Sequence, residues 1–180
     1  MNFDQLNALA KEIHTVDNHK WWHTKEGVRL ARNKGELLML MVSEVAEAME
    51  GERKNLMDDK LPKRRMAEVE MSDVKIRLLD YAAGFNIILE SALPVEMTEN
   101  KAECLMRITG AINSTYLYAS EIIDQSLEAY NLSSVLASCH AYCDKFGYDI
   151  DGAMAEKRAF NKVRVDHTYA AREAAGGKAF

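Results

Sequence analysis

Two acidic pairs stand out for the chemistry they could do. Glu44-Val-Ala-Glu47 is answered by Glu70-Met-Ser-Asp73. The members of each pair are three residues apart, so on a helix both carboxylates share one face. Apolar residues flank both pairs: Leu37 to Val42 leads into the first, and Val74, Ile76, Leu78 and Leu79 follow the second. Four acids turned toward the apolar side of two neighbouring helices repel one another and resist burial. A hard divalent cation with oxygen ligands is the natural compensation, Mg²⁺ first and Mn²⁺ as its substitute. Such a site leaves positions for water and phosphate oxygens, and a spare carboxylate can take the water's proton. Phosphorus–oxygen cleavage of a nucleotide fits these parts. A single Glu-x-x-Glu is a weak signal, because solvated helix faces produce it constantly. Two such pairs, both on helices with strong apolar faces, reverse that balance.

A cationic counterpart lies near the C-terminus. Lys157, Asn161 and Arg164 fall at i, i+4 and i+7, one stripe of a helix. Two cations and an amide on one face can grip phosphates, although an exposed basic face is as good a reading of that stripe alone. His167 and Lys178 could add to the grip. Asp80 lies seven residues after Asp73 on the same face and is a fifth acid for the metals or the ligand. The adjacent Trp21 and Trp22 point in different directions, so one ring could be core and the other free for stacking. Packing of both is the commoner outcome. Glu50, Glu52, Asp58, Asp59 and Glu68 read as solvated charges, with Glu68 also within reach of a supporting role. Cys139-His140-x-x-Cys143 lacks a fourth ligand of the zinc type and reads as small buried residues.

These side chains need helices to hold them, and the composition supplies helices. The chain has 180 residues, enough for one domain with a substantial core. Only two prolines and nine glycines interrupt it. Helix formers dominate, and no run alternates with a period of two, so the fold class is all-α. A helix is expected over about 2–16, with a break at Asp17-Asn18. The Glu44 pair sits on a helix of about 36–50, ended by Gly51 as a C-cap. Pro62 marks the start of the next helix, about 63–83, which carries Glu70, Asp73 and Asp80 and stops near Gly84. Residues 99–131 form one helix or two, with Gly110 as a possible bend. Asn131-Leu-Ser-Ser134 reads as an N-cap for a helix of about 133–146. Asp149 or Asp151 caps the last main helix, about 151–164, and about 165–180 form an arm.

Charge and targeting narrow the partners. The net charge of −5 speaks against a nucleic-acid polymer as ligand. From Glu156 to Phe180 six Lys/Arg face three acids, a basic end suited to a small anion. The N-terminus does not read as a signal peptide, and no run has membrane-spanning length, so no membrane partner is expected. Three cysteines give no disulfide framework and point to a reducing cytoplasm.

The chain resembles the all-α MazG-like nucleoside triphosphate pyrophosphohydrolases, whose signature is ExxE followed by ExxD. Glu44-x-x-Glu47 and Glu70-x-x-Asp73 carry the match. Arg32 to Gly51, Glu68 to Asp80 and Glu156-Lys-x-x-x-Asn161-Lys-x-Arg164 support it. The likeness, to phage and bacterial members in particular, covers about half to two-thirds of the chain. It implies a helical bundle forming a homo-oligomer, dimer or tetramer, in the bacterial cytoplasm, or in the host's if phage-encoded. By that resemblance Glu44, Glu47, Glu70 and Asp73 hold Mg²⁺, and one glutamate activates the attacking water. Asp80 contacts the nucleotide, and Lys157 and Asn161 meet its phosphates. Arg164, Lys34 and Trp22 complete the expected substrate-binding set. The implied reaction splits a nucleoside triphosphate between its α- and β-phosphates, releasing monophosphate and pyrophosphate. One departure is length: about 60 residues, roughly 88–146, precede the last helix where compact relatives have a turn. Their apolar periodicity reads as a helical extension of a single domain, or as an interface.

Two other readings remain. A non-catalytic nucleotide sensor would be expected to lose a metal acid, and all four are present. A di-iron carboxylate bundle wants Glu-x-x-His, which the chain lacks.

Overall fold

Helix-forming segments become helices throughout. The computed structural model describes residues 2–120 and 125–174. In order these form α1 (Phe3–Glu12), a π-helical turn (Ile13–Asp17), α2 (His19–Trp22), α3 (Lys34–Lys54), α4 (Met66–Gly84), α5 (Lys101–Ser120), α6 (Gln125–Phe146), α7 (Ile150–Lys162), a 3₁₀ turn (Val165–His167) and α8 (Tyr169–Glu173). No strand occurs among the described residues, which makes the chain all-α. No helix among them is long and apolar enough to cross a membrane.

The bundle is built around α4. Fifteen of its 19 residues are buried, so it has neighbours on nearly every side. α3 lies along it, α1, α6 and α7 pack on its other faces, and α5 pairs with α3 and α6. The buried apolar cluster draws on all of these helices, from Leu6 and Ile13 through Met41, Leu78 and Ile108 to Tyr142 and Met154. The α5–α6 segment therefore contributes to the core that α3 and α4 share.

Several expected boundaries move. Gly51 does not end α3; the helix runs to Lys54 and closes on Asn55 in the left-handed conformation, φ 53°. Gly51 serves a close approach instead: a Cβ there would sit 2.8 Å from Met66 Cβ. α4 starts at Met66, beyond Pro62, where the Arg65 backbone N–H donates to Glu68. Gly110 produces no break within α5. The cap signal at Asn131-Leu-Ser-Ser134 is internal to α6. Its polar groups serve a crossing segment: Ser133 Oγ accepts from Glu90 N at 3.0 Å, and Ser134 Oγ donates to Leu93 O at 2.6 Å. Asp149, not Asp151, caps α7, accepting from Gly152 N at 2.9 Å. α7 ends at Lys162, so Arg164 lies just past it.

Three acids expected to be solvated hold the bundle together. Glu52 accepts from Tyr142 and Tyr148 hydroxyls at 2.8 and 2.6 Å and from Lys101 Nζ at 2.6 Å. Asp58 is buried and accepts from the Lys60 and Leu61 backbone N–H groups. Glu68 joins Arg64 to the Asp149 backbone N–H. Burial without partners would be costly for each, and each has partners. Glu50 and Asp59 keep exposed ion pairs with neighbouring lysines.

Candidate functional site

The carboxylates of interest come from two facing helices. Glu44 and Glu47 occupy one face of α3, and Glu70 and Asp73 one stripe of α4 that continues through Arg77 to Asp80. Apolar residues between them, such as Val45, Met71 and Val74, pack into the core. That packing turns the polar stripes toward a shared cavity of about 480 Å³. The volume is in the range of small-molecule sites.

Glu44, Glu47 and Glu70 each bring a carboxylate oxygen to within 4.8 Å of the others. Glu44 and Glu70 are buried, and Glu47 is exposed at the cavity. Arg77 clamps Glu44 Oε1, at 2.7 Å from Nε and 2.5 Å from Nη2. Asp73 stands apart from the trio and pairs with Lys157 Nζ at 2.8 Å. α7 delivers that lysine: its N-terminal end is pinned by Arg64, and its middle by Arg158, which pairs with Glu12 and Asp17.

Two cations against four acids leave the site short of positive charge, and the titration behaviour shows it. Burial pushes the Glu70 carboxyl well above its ordinary value, and the charge of Asp73 pushes it further. Burial also raises Asp73, to about 6, against the pull of Lys157. Glu47 is raised by burial and by Glu44. Glu44, Glu47 and Glu70 form an all-oxygen donor set. A hard divalent cation fits that set.

The remaining expected residues divide. Asn161, Arg164 and His167 also line the cavity, and Asn161 Oδ1 is buried without a hydrogen-bond partner. Asp80 reaches the cavity wall, but its oxygens are engaged by other side chains. Oδ1 accepts from His14 Nδ1 at 2.9 Å, and both oxygens accept from Trp22 Nε1 at 3.0 Å. Trp22 is only 2% exposed, so its ring is core and no face is open for stacking. Both tryptophans touch the cavity, and Trp21, half-buried, is the more open of the two, with Arg172 over its ring at 4.6 Å. Lys34 does not line the cavity; its Nζ meets Glu128 at 2.7 Å, and Glu128 also accepts from the Tyr81 hydroxyl. Lys178 lies outside the described residues.

Sequence reasoning missed Arg77 and Arg32. Arg77 had a signal: it is seven residues after Glu70 and four after Asp73, on their stripe. Arg32 had none, because it lies in a loop whose course only the packing decides. No family model, curated protein or solved structure matches this chain.

Proposed function

We propose that the chain is a MazG-like, Mg²⁺-dependent nucleoside triphosphate pyrophosphohydrolase. The observation that carries this reading is the convergence of Glu44, Glu47 and Glu70 in one cavity that Lys157 and Asn161 also line. Glu44, Glu47 and Glu70 would hold the divalent cation, with Asp73 joining when Lys157 turns to an incoming phosphate. Such an ion, when bound, offsets the charge of the triphosphate and of the transition state.

The chain's own groups account for the rest. Lys157 and Asn161 bind phosphate oxygens, and Arg77 keeps the Glu44 carboxylate oriented. Arg164, at the same wall, extends the grip. A Glu47 carboxylate oxygen, the one member of the trio open to solvent, accepts a proton from the attacking water. The water oxygen bonds to the α-phosphorus, the bond to the β-phosphate bridge breaks, and pyrophosphate leaves. α3, α4 and α7 hold the acids, Arg77, Lys157 and Asn161 around one cavity before substrate arrives.

A turnover panel tests it. The protein is incubated with each of the eight common NTPs and dNTPs, with Mg²⁺ and with EDTA, and the products are separated. Monophosphate and pyrophosphate, lost with EDTA, is the expected result. Diphosphate and orthophosphate would overturn the cleavage position. Binding without turnover would replace the enzyme with a nucleotide sensor.

A further inference from the structure

The cavity has two ends. An α-helix rises 1.5 Å per residue, so Asp80 lies roughly 15 Å along α4 from Glu70. The acids, Arg77 and Lys157 mark one end. Asp80, Trp21, Arg32 and His167 mark the other.

Arg32 is the unusual residue there. It lines the cavity, half-buried, and makes no hydrogen bond or ion pair among the described residues. Its Nε is buried without a partner. Burial lowers the guanidinium's pKa; Glu36 and Asp80 attract it, and Arg172 repels it. A buried, unmatched donor is costly, and folded proteins rarely leave one without a ligand or water. Asp80 attracts it but makes no hydrogen bond or ion pair with it; its oxygens accept from Trp22 and His14. What this end offers a ligand is a fork of N–H donors beside an indole.

We propose that this end is a nucleobase subsite, and that Arg32 reads the base through paired N–H donors that favour guanine over adenine. The inference rests on the nucleotide reading of the cavity. Guanine presents adjacent acceptors, O6 and N7, which a guanidinium meets with two parallel hydrogen bonds. Adenine sets an amino donor beside N7, and that donor would oppose the Arg32 fork.

The test is binding of GMP, AMP, 7-deaza-GMP and inorganic pyrophosphate by calorimetry with Mg²⁺ present. GMP is expected to bind tighter than AMP by about tenfold or more, the discrimination of one bidentate arginine contact. 7-Deaza-GMP, which lacks the N7 acceptor, falls toward AMP; this arm needs no variant. Arg32→Lys keeps the charge but loses the fork, so the GMP preference collapses while pyrophosphate affinity holds. Equal binding of GMP and AMP, or no binding of either, overturns the proposal. So does 7-deaza-GMP binding like GMP, or Arg32→Lys weakening pyrophosphate as much as GMP, which would make Arg32 a phosphate ligand. Turnover is read separately. A protein that separates GMP from AMP yet cleaves no triphosphate upholds the subsite and sinks the hydrolase reading. One that cleaves triphosphates but binds both monophosphates alike does the reverse.

Discussion

At the scale of single residues, the site is a balance of charges. Glu47 is its exposed carboxylate, and Glu47→Gln keeps the shape while removing what we propose is both a metal ligand and the proton acceptor. Turnover should fall by at least about 100-fold, beyond the usual loss for a supporting residue, with the circular-dichroism spectrum unchanged. Wild-type turnover by Glu47→Gln would remove it from the reaction. Glu70 makes a prediction about stability. Its folded pKa is raised above the ordinary 4.5, so the folded state prefers the protonated acid. Its stabilising contribution is complete below about pH 4.5 and is lost as pH rises through the folded value. In EDTA at pH 8, Glu70→Gln should therefore melt higher than the parent, by about 2–4 °C for each kcal/mol relieved. At pH 5 the gain should nearly vanish. A lower melting temperature for the variant at pH 8 would show that Glu70 is already stabilised as an anion.

Between elements, close approach sets the geometry that the side chains inherit. Gly84, the last residue of α4, lies under the Trp22 ring, and a Cβ there would come within 2.4 Å of two ring carbons. Trp22 in turn holds Asp80 through its indole N–H. Gly84→Ala should cost about 1–3 kcal/mol by overpacking, read from urea unfolding. It should also shift the tryptophan fluorescence, because the ring must move. An unchanged midpoint and spectrum would mean that the α2 loop yields freely and does not position Asp80.

For the whole molecule, the question is whether the α5–α6 pair is an appendage or part of one cooperative unit. Leu132, Val135, Leu136 and Cys139 of α6 are fully buried in the cluster that also holds Leu78 and Met41. Leu136→Ala should destabilise the protein by about 2–5 kcal/mol. Both tryptophans, Trp21 and Trp22, are in α2, so their fluorescence reports on the opposite end of the sequence. One shifted transition, coincident by fluorescence and circular dichroism, is the expected result. A fluorescence midpoint unmoved by Leu136→Ala would make the α5–α6 pair an independent unit.

Local pattern was enough to determine the helical class and the two acidic stripes. Glu44-x-x-Glu47 and Glu70-x-x-Asp73 follow from helical periodicity, which is written into neighbouring residues. Lys157 and Asn161, on one face of α7, were legible in the same way, whereas Arg164 reaches the cavity from beyond the helix end. Contacts between residues distant in sequence decided the rest. Asn131 to Ser134 have the side chains of a cap, yet the segment crossing near Leu93 claims two of them. Glu52 resembles a solvated charge until Tyr142 and Tyr148, some 90 residues later, bury it. Asp73 parts from the other acids because α7 brings Lys157 to it, and Arg32 reaches the cavity because a loop folds over the start of α3. Periodicity says which face a side chain shares, and only packing says what stands opposite that face.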